Sequence, residues 1–289
     1  MLKNSHLFCF GMGYCALNLA KQLRQNGWKV SGTSQSESSN AAIHTFSGDV
    51  AMASVTETLK NVTHILISIP PNAYHDPSLA WHKEDIIKLK SLQWVGYLST
   101  TGVYGNTNGE IVDETAPPRP TSQRSQNRLN AETQWLDLFN TYDLPIHVFR
   151  LPGIYGPGRS ALDQVAAGRT QRIDKPGHQF SRIHVVDITN TIMQSIESPN
   201  PGRIYNVCDN EAASPADVTA YACQLLGVPA TTPVAYEVAA KSMSPMALSF
   251  WQDNRRIDNT RIKSELRVQL NYPTYREGLK EIFTSLSKN

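Results

Sequence analysis

Two glycines and an alanine near the start of the chain, Gly11, Gly13 and Ala16, follow an apolar run at residues 7–10. Apolar residues then recur at helical spacing, so the sequence predicts a buried strand, a tight turn and a helix. The first glycine allows a sharp turn, the second lets a pyrophosphate approach the backbone, and the small Ala16 lets the helix pack on the strand. A helix N-terminus also favours an anion. The candidate dinucleotide-binding residues here are Gly11, Met12, Gly13 and Tyr14.

The second strand, which follows Gly27, ends in the polar residues Thr33, Ser34 and Gln35. A carboxylate that binds the ribose hydroxyls of NAD is expected about 20 residues after the first glycine. No acid precedes Glu37 here, and small hydroxyl residues leave room for a 2′-phosphate. The sequence therefore favours NADP slightly over NAD, and the alternative is an ordinary polar loop.

Three further polar residues follow apolar segments and are candidates for contacts with a ligand. Asp49 ends a predicted third strand over residues 43–49 and is either an adenine contact or a helix or turn cap. Ser68 lies near the end of a fourth, nearly continuous apolar strand over residues 62–69, and we predict that it binds the cofactor. His75 in the next loop either touches substrate or is solvated.

Hydroxyl residues stand at the end of a fifth predicted strand, over residues 94–98. The run is Ser99-Thr100-Thr101-Gly102-Val103-Tyr104-Gly105. Hydroxyls at the carboxyl end of a strand, followed by glycine turns, can polarise a carbonyl or hydroxyl group. A long helical pattern then begins at Thr121, with a sixth strand over residues 147–151.

Composition excludes several classes of protein. The chain has 289 residues, of which 40% are hydrophobic, and a formal net charge of +2, which gives no electrostatic argument for nucleic acid. The apolar run at residues 7–10 is broken by glycines and lacks a cleavage site, so we interpret it as a strand rather than a signal peptide. No stretch has the apolar length of a membrane span. Four cysteines without metal or redox spacing fit a reducing cytoplasm.

The alternation of strands and helices predicts an α/β fold with a Rossmann-type, doubly wound parallel sheet. We predict a dinucleotide-binding domain over residues 1–210, with a substrate-side loop near 153–180. A smaller, mostly helical C-terminal domain over residues 211–289 is expected to lie over the carboxyl edge of the sheet. Further strands are predicted near 180–183 and at 203–207, and a helix from residue 186.

Four landmarks occur in order: the glycine turn, the run from Ser99 to Gly105, the loop at residues 150–158 and the segment at 183–187. This set resembles the extended short-chain dehydrogenase/reductase family, which includes nucleotide-sugar epimerases and dehydratases. The tail, with its motifs at residues 249–259 and 272–279, is similar to an atypical bacterial branch of that family. The resemblance covers about residues 7–210.

The resemblance implies a Tyr-x-x-x-Lys pair on the long helix and a Ser or Thr at the preceding strand end. Thr100 matches the hydroxyl, but Arg124 stands at the tyrosine position and Arg128 at the lysine position. A guanidinium stays protonated and is not a base, although Arg128 can hold a ribose or a phosphate. Tyr104 is either a replacement proton donor, with Arg124 favouring its phenolate, or a packing residue, in which case Arg124 binds an anionic group of the substrate. The resulting catalytic candidates are Thr100, Tyr104 and Arg124.

The acidic pair that the dehydratases carry after the Thr is replaced by Thr101 and Gly102. We interpret Asp113-Glu114 in the next loop as a solvated turn, and the alternative is an acid/base pair. The resemblance implies an oxidoreductase or epimerase-like enzyme that uses NADP or NAD on a polar hydroxyl or carbonyl compound, such as a sugar nucleotide. The alternative is an inactive, dinucleotide-binding redox sensor or scaffold. A homodimer through helices at about 78–89 and 121–141 is also implied.

Overall fold

A computed structural model describes residues 5–286. The strands are β1 (His6–Phe10), β2 (Lys29–Ser34), β3 (Ile43–Thr45), β4 (His64–Ile67), β5 (Trp94–Thr100), β6 (Ile111–Val112), β7 (Ile146–Leu151), β8 (Gly153–Tyr155), β9 (Ile173–Asp174), β10 (Arg182–His184), β11 (Ile204–Asn206), β12 (Val234–Ala235) and β13 (Arg256–Ile257). The α-helices are α1 (Tyr14–Gln25), α2 (Val55–Leu59), α3 (Pro77–Ile87), α4 (Gln123–Tyr142), α5 (Ala161–Ala166), α6 (Val185–Glu197), α7 (Pro215–Leu226), α8 (Tyr236–Ala239), α9 (Pro245–Gln252), α10 (Thr260–Glu265) and α11 (Tyr275–Leu286).

Seven strands form a parallel central sheet in the order β11-β7-β5-β4-β1-β2-β3. The strand order reverses at β1, which pairs with β4 on one side and with β2 on the other. In an open α/β sheet, such a switch point lies beside the crevice that receives the ligand, at the carboxyl ends of the strands. The prediction of a Rossmann-type doubly wound sheet is confirmed.

Apolar runs explain why the sheet is buried on both faces. All five residues of β1 and all four of β4 are buried, as expected for parallel strands covered by helices on both sides. On α1 the buried residues Ala16, Leu19 and Leu23 recur at helical spacing. This spacing turns one face of the helix towards the interior, so the helix begins at a fixed position directly after the glycine turn.

The described chain divides into two compact units, each made of several segments. The first comprises residues 5–100, 123–150 and 191–205, and it contains the core around Phe8, Phe10 and Trp135. The second comprises residues 101–122, 151–190 and 206–286. It contains the two-stranded pairs β8–β10, β9–β12 and β6–β13, and a core that α5, α7 and α11 share.

Several element boundaries differ from those predicted from the sequence. The third strand ends at Thr45 rather than at residue 49, the long helix begins at Gln123 rather than at Thr121, and the strand expected near 180–183 is Arg182–His184. The second unit also takes residues 101–122 and 151–190, whereas the sequence-based division is a single boundary at residue 210. No helix within residues 5–286 has both the length and the apolar character needed to cross a bilayer.

Candidate active site

The turn after β1 requires glycine at residue 11. Gly11 has a φ of +91°, a left-handed conformation that costs other residues free energy. A Cβ atom at this position would lie 2.5 Å from the Cγ2 atom of Ile69 and 3.0 Å from the Oγ atom of Ser68. Both the conformation and the available space therefore exclude a side chain here.

Both neighbours of β1 in the sheet hold this turn in place. From β2, Thr33 accepts the Gly11 N–H at Oγ1, over 2.8 Å, and the Met12 N–H at its carbonyl oxygen, also over 2.8 Å. After β4, the hydroxyl of Ser68 donates to the carbonyl oxygen of Gly11 over 2.5 Å. The turn is therefore fixed from both sides at the switch point of the sheet.

Gly13 leaves an open space at the start of α1. It is exposed, and its φ of −84° is accessible to any residue. Among residues 5–286, no atom outside the two adjacent residues lies within 4 Å of the position that its Cβ would take. The first turn of α1 carries no acidic residue, and in the part of the chain that the structure describes no side chain caps it. The partial positive charge of the helix N-terminus thus faces a space that a phosphate can enter.

The residues at the end of β2 have different environments. Thr33 is 1% exposed and its hydroxyl accepts the Gly11 N–H. The Thr33 side chain thus stabilises the glycine turn, and its predicted contact with the cofactor stays a prediction. Ser34 is half-buried and Gln35 is exposed, so these two residues carry the accessible polar groups at this strand end.

Asp49 and His75 lie in loops of the first unit. Asp49 is exposed beyond the end of β3, and its backbone N–H donates to the hydroxyl of Ser47 over 3.2 Å. His75 is half-buried, and its backbone N–H donates to Oδ1 of Asn72 over 2.8 Å. The predicted ligand contacts of Asp49 and His75 stay predictions.

A buried ion pair supports the end of β5, where Thr100 is half-buried. The hydroxyl of Ser99 donates to Oε2 of Glu132 over 2.7 Å. On α4, Glu132 forms an ion pair with Arg150 of β7, whose Nε atom lies 3.2 Å from each carboxylate oxygen. The side chains of both ionic partners are at most 3% exposed. This network joins β5, β7 and α4 at Ser99, the residue directly before Thr100.

Arg128 of α4 contacts the same strand end, and Arg124 lies one helical turn before it. The Nη1 atom of Arg128 donates to the carbonyl oxygen of Leu98 over 2.8 Å and to the hydroxyl of Tyr97 over 3.4 Å. Arg128 is half-buried, whereas Arg124 is exposed. Neither guanidinium forms an ion pair with an acidic residue of the described chain.

In the second unit, Tyr104 belongs to a chain of buried polar contacts. It is 2% exposed, and its hydroxyl donates to Oδ1 of Asn206 over 2.8 Å. The Asn206 backbone N–H donates to Oε1 of Glu114 over 2.7 Å, and Nε of Arg261 lies 3.5 Å from Oε2 of Glu114. Burial raises the pKa of Glu114, against the opposing effects of this hydrogen bond and of Arg261.

The interpretation of Asp113-Glu114 as a solvated turn therefore holds only for its first residue. Asp113 is exposed, and its Oδ1 atom accepts hydrogen bonds from the backbone N–H and the hydroxyl of Thr115. These bonds lower the pKa of Asp113. The side chain of Glu114, in contrast, is 2% exposed, because it accepts the backbone N–H of Asn206 inside the second unit.

Comparison with known proteins identifies the family. Residues 11–208 match the NAD dependent epimerase/dehydratase family. The chain belongs to this family. Across 281 residues it is 25% identical to protein YeeZ of Escherichia coli K12, with 91% of this chain and 94% of that protein covered.

Two solved structures show how far the fold of this epimerase/dehydratase family member extends. A conserved protein of unknown function from Silicibacter pomeroyi is 43% identical, with a TM-score of 0.88 and coverage of 98% of this chain and 99% of that one. The dTDP-glucose 4,6-dehydratase of Bacillus anthracis, solved with NAD, is 18% identical, with a TM-score of 0.79 and coverage of 99% and 97%. The similarity extends over both units.

Some residues of this family member that support its site were missed by sequence reasoning. Glu132 of α4 pairs with Arg150 of β7, and Glu114 accepts the backbone N–H of Asn206 within the second unit. Only Glu132 gave a usable signal, since it lies four residues after Arg128 and hence on the same face of one helix. The other three depend on contacts between residues that are distant in the chain.

Proposed function

We propose that the protein is an NAD(P)-dependent oxidoreductase or epimerase-like enzyme that acts on a hydroxyl or carbonyl group of a polar small molecule. The single observation that carries the proposal is the open space at Gly13, next to a turn fixed by Thr33 and Ser68. These residues fit a dinucleotide, because a pyrophosphate needs a close backbone approach and a helix N-terminus without a competing acid. The slight preference for NADP rests on Ser34 and Gln35, since no carboxylate stands there.

A dinucleotide held at this turn would supply hydride-transfer chemistry to the carbon that carries the hydroxyl or carbonyl group. Thr100 stands at the end of β5, where its hydroxyl can donate a hydrogen bond to the substrate oxygen. Arg124 and Arg128 carry fixed positive charge and do not accept the proton. For Tyr104 we favour the packing role over the proton step, because the residue is buried and its hydroxyl donates to Asn206.

A second candidate function is supported by one specific observation. The Tyr–Lys pair that the short-chain dehydrogenases use is replaced by Arg124 and Arg128. A protein that keeps the glycine turn but lacks this pair can bind the dinucleotide without turnover. It would then serve as a redox sensor or a scaffold.

An activity screen separates the two candidate functions. UDP-glucose, UDP-glucuronic acid and dTDP-glucose are each mixed with the oxidised cofactors NADP and NAD, which test oxidation of a hydroxyl group. The same compounds are mixed with NADPH and NADH, which test reduction. Oxidoreduction changes the absorbance of the nicotinamide, whereas epimerisation leaves the cofactor unchanged and is read from the product by NMR. Turnover that falls by roughly 10²–10³-fold in Thr100→Val supports the enzyme. Cofactor binding without turnover across a wider carbonyl panel favours the sensor.

We also propose a homodimer in the cytoplasm. The α3 and α4 helices are the elements that the resemblance implies for dimerisation, and they expose Trp81 and Tyr142, which are 41% and 46% accessible. All four cysteines lie within the described chain and are buried and free of disulfides. Free, buried thiols are compatible with a reducing compartment.

A further inference from the structure

The first two turns of α4 carry an unusual set of charges. Residues 123–130 read Gln-Arg-Ser-Gln-Asn-Arg-Leu-Asn, with two arginines and no acid. Arg124 and Arg128 are four residues apart, so they share one face of the helix and repel each other. Arg124 also lies in the first turn, where the helix dipole disfavours a cation. This arrangement costs stability unless an anion offsets it.

This face of α4 lies at the carboxyl ends of two strands of the sheet. Arg128 donates to the carbonyl oxygen of Leu98, two residues before the end of β5. Its guanidinium carbon is 5.7 Å from the centre of the Tyr97 ring. Nδ2 of Asn127 donates over 2.9 Å to the carbonyl oxygen of Asn72, in the loop after β4. An open α/β sheet binds its ligand at this edge.

The neighbouring carboxylates are already engaged by other groups. Glu132 binds Ser99 and Arg150. Asp76 is 2% exposed and accepts the Leu79 N–H and the indole N–H of Trp135. Burial raises the pKa of Asp76, although Arg128 acts in the opposite direction. Within residues 5–286, then, neither arginine has a paired counter-ion.

Arg128 also keeps one side of its guanidinium available. Both of its hydrogen bonds in the described chain come from Nη1, which leaves the edge formed by Nε and Nη2. That edge has the two parallel N–H groups that bind a carboxylate or phosphate in a bidentate manner. Arg124, exposed one turn away, can reach the same anion.

We propose that Arg124 and Arg128 together bind an anionic oxygen group, a carboxylate or a phosphate, on the substrate. The substrate class is then a hydroxy or oxo compound with an oxyanion close to the reacting carbon. This inference rests on the proposed function for the location of the substrate, but its evidence is the unpaired charge on α4. Anion binding uses the permanent positive charge of the two arginines, which also prevents them from acting as bases.

The test uses three sugars that differ only at carbon 6: D-glucose, D-glucuronate and D-glucose 6-phosphate. Each is titrated calorimetrically into the protein saturated with NADPH. We expect at least one anion to bind about tenfold or more tightly than glucose, because each charge-assisted bond adds about this much. Arg124→Gln and Arg128→Gln should each remove this preference. If the variants weaken the binding of D-glucuronate, the site binds a carboxylate; if they weaken the binding of D-glucose 6-phosphate, it binds a phosphate.

Arg267→Gln is the matched control, since it removes the same charge from an exposed arginine of the second unit. It should keep the anion preference. Equal binding of all three sugars by the wild type, or an anion preference that survives in both α4 variants, overturns the inference. NADPH titration of the same proteins distinguishes failure of this inference from failure of the proposed function. A wild type that does not bind NADPH contradicts the proposed function. A wild type that binds NADPH but shows no anion preference contradicts only this inference.

Discussion

The hydrogen bond from Tyr104 to Asn206 favours a packing role for Tyr104 over a role in proton transfer. Its hydroxyl donates to Oδ1 of Asn206 and is 2% exposed, and an amide oxygen is not a base that can take the proton. We therefore expect Tyr104→Phe to keep kcat within a few-fold of the wild type. The variant should lose about 1–3 kcal/mol of unfolding free energy, because the buried Asn206 oxygen loses its donor.

Urea denaturation and steady-state kinetics check this expectation together. Proton transfer by Tyr104 instead requires kcat to fall by roughly 10²–10⁴-fold with unchanged affinity for NADPH. That result would contradict the packing role and assign the acid–base step to the phenol.

Cofactor choice is also decided at the scale of single residues. We predict tighter binding of NADPH than of NADH, because Ser34 and Gln35 leave room for the 2′-phosphate. Ser34→Asp should weaken NADPH binding by roughly tenfold or more through charge repulsion. Ser39→Asp adds the same charge at an exposed position five residues later and is the control. Calorimetry with both cofactors tests this, and tighter NADH binding by the wild type would make the segment an ordinary polar loop.

At the scale of elements, the Glu132–Arg150 pair is the contact that joins α4 to the end of β7. Removing one partner leaves the other charge buried and uncompensated. We predict that Glu132→Ala lowers the unfolding free energy by about 3–5 kcal/mol. Thr100 should also lose its fixed position, because Ser99 no longer has its acceptor.

The exposed pair Lys60–Glu57 offers a matched comparison, since its side chains are 64% and 73% accessible. Glu57→Ala should change stability by less than about 1 kcal/mol. Guanidinium denaturation of both variants gives the two values. If Glu132→Ala lowers the unfolding free energy as little as Glu57→Ala does, the buried Glu132–Arg150 pair does not stabilise the strand ends.

The local elements around the glycine turn were predictable because they depend on short-range patterns. The apolar run before Gly11 and the helical spacing after Ala16 correctly predicted β1 and α1. The role of Thr33 was not predictable, because its hydroxyl bonds to a residue 22 positions earlier. A polar side chain at a strand end is equally suited to a ligand and to a backbone N–H until the sheet order is known.

At the scale of the whole molecule, the parallel sheet followed from the alternation of apolar runs and helical patterns. The segments that form the second unit could not be predicted from the sequence, because residues 101–122, 151–190 and 206–286 come from separate parts of the chain. Its three two-stranded pairs join strands of only two or three residues. Strands this short carry no periodicity that a sequence pattern can reveal.

The assembly of the whole molecule gives a further prediction. If α3 and α4 form the dimer interface, light scattering at micromolar concentration should give twice the mass of 32.1 kDa. Tyr142→Asp places a charge on an aromatic residue that is 46% exposed, and it should shift the protein towards monomer. A monomer mass for the wild type would contradict the dimer.

The proposed function requires that this chain binds a nicotinamide dinucleotide at the turn between β1 and α1. Gly13→Val tests this binding, because within residues 5–286 no atom beyond the two adjacent residues lies within 4 Å of the new Cβ, and valine fits the backbone angle. The variant should therefore keep the melting temperature of the wild type. We predict that fluorescence titration shows NADPH binding to the wild type and affinity weakened by roughly 10–100-fold in the variant. Equal NADPH affinity in the two proteins, with unchanged melting temperatures, would contradict the claim.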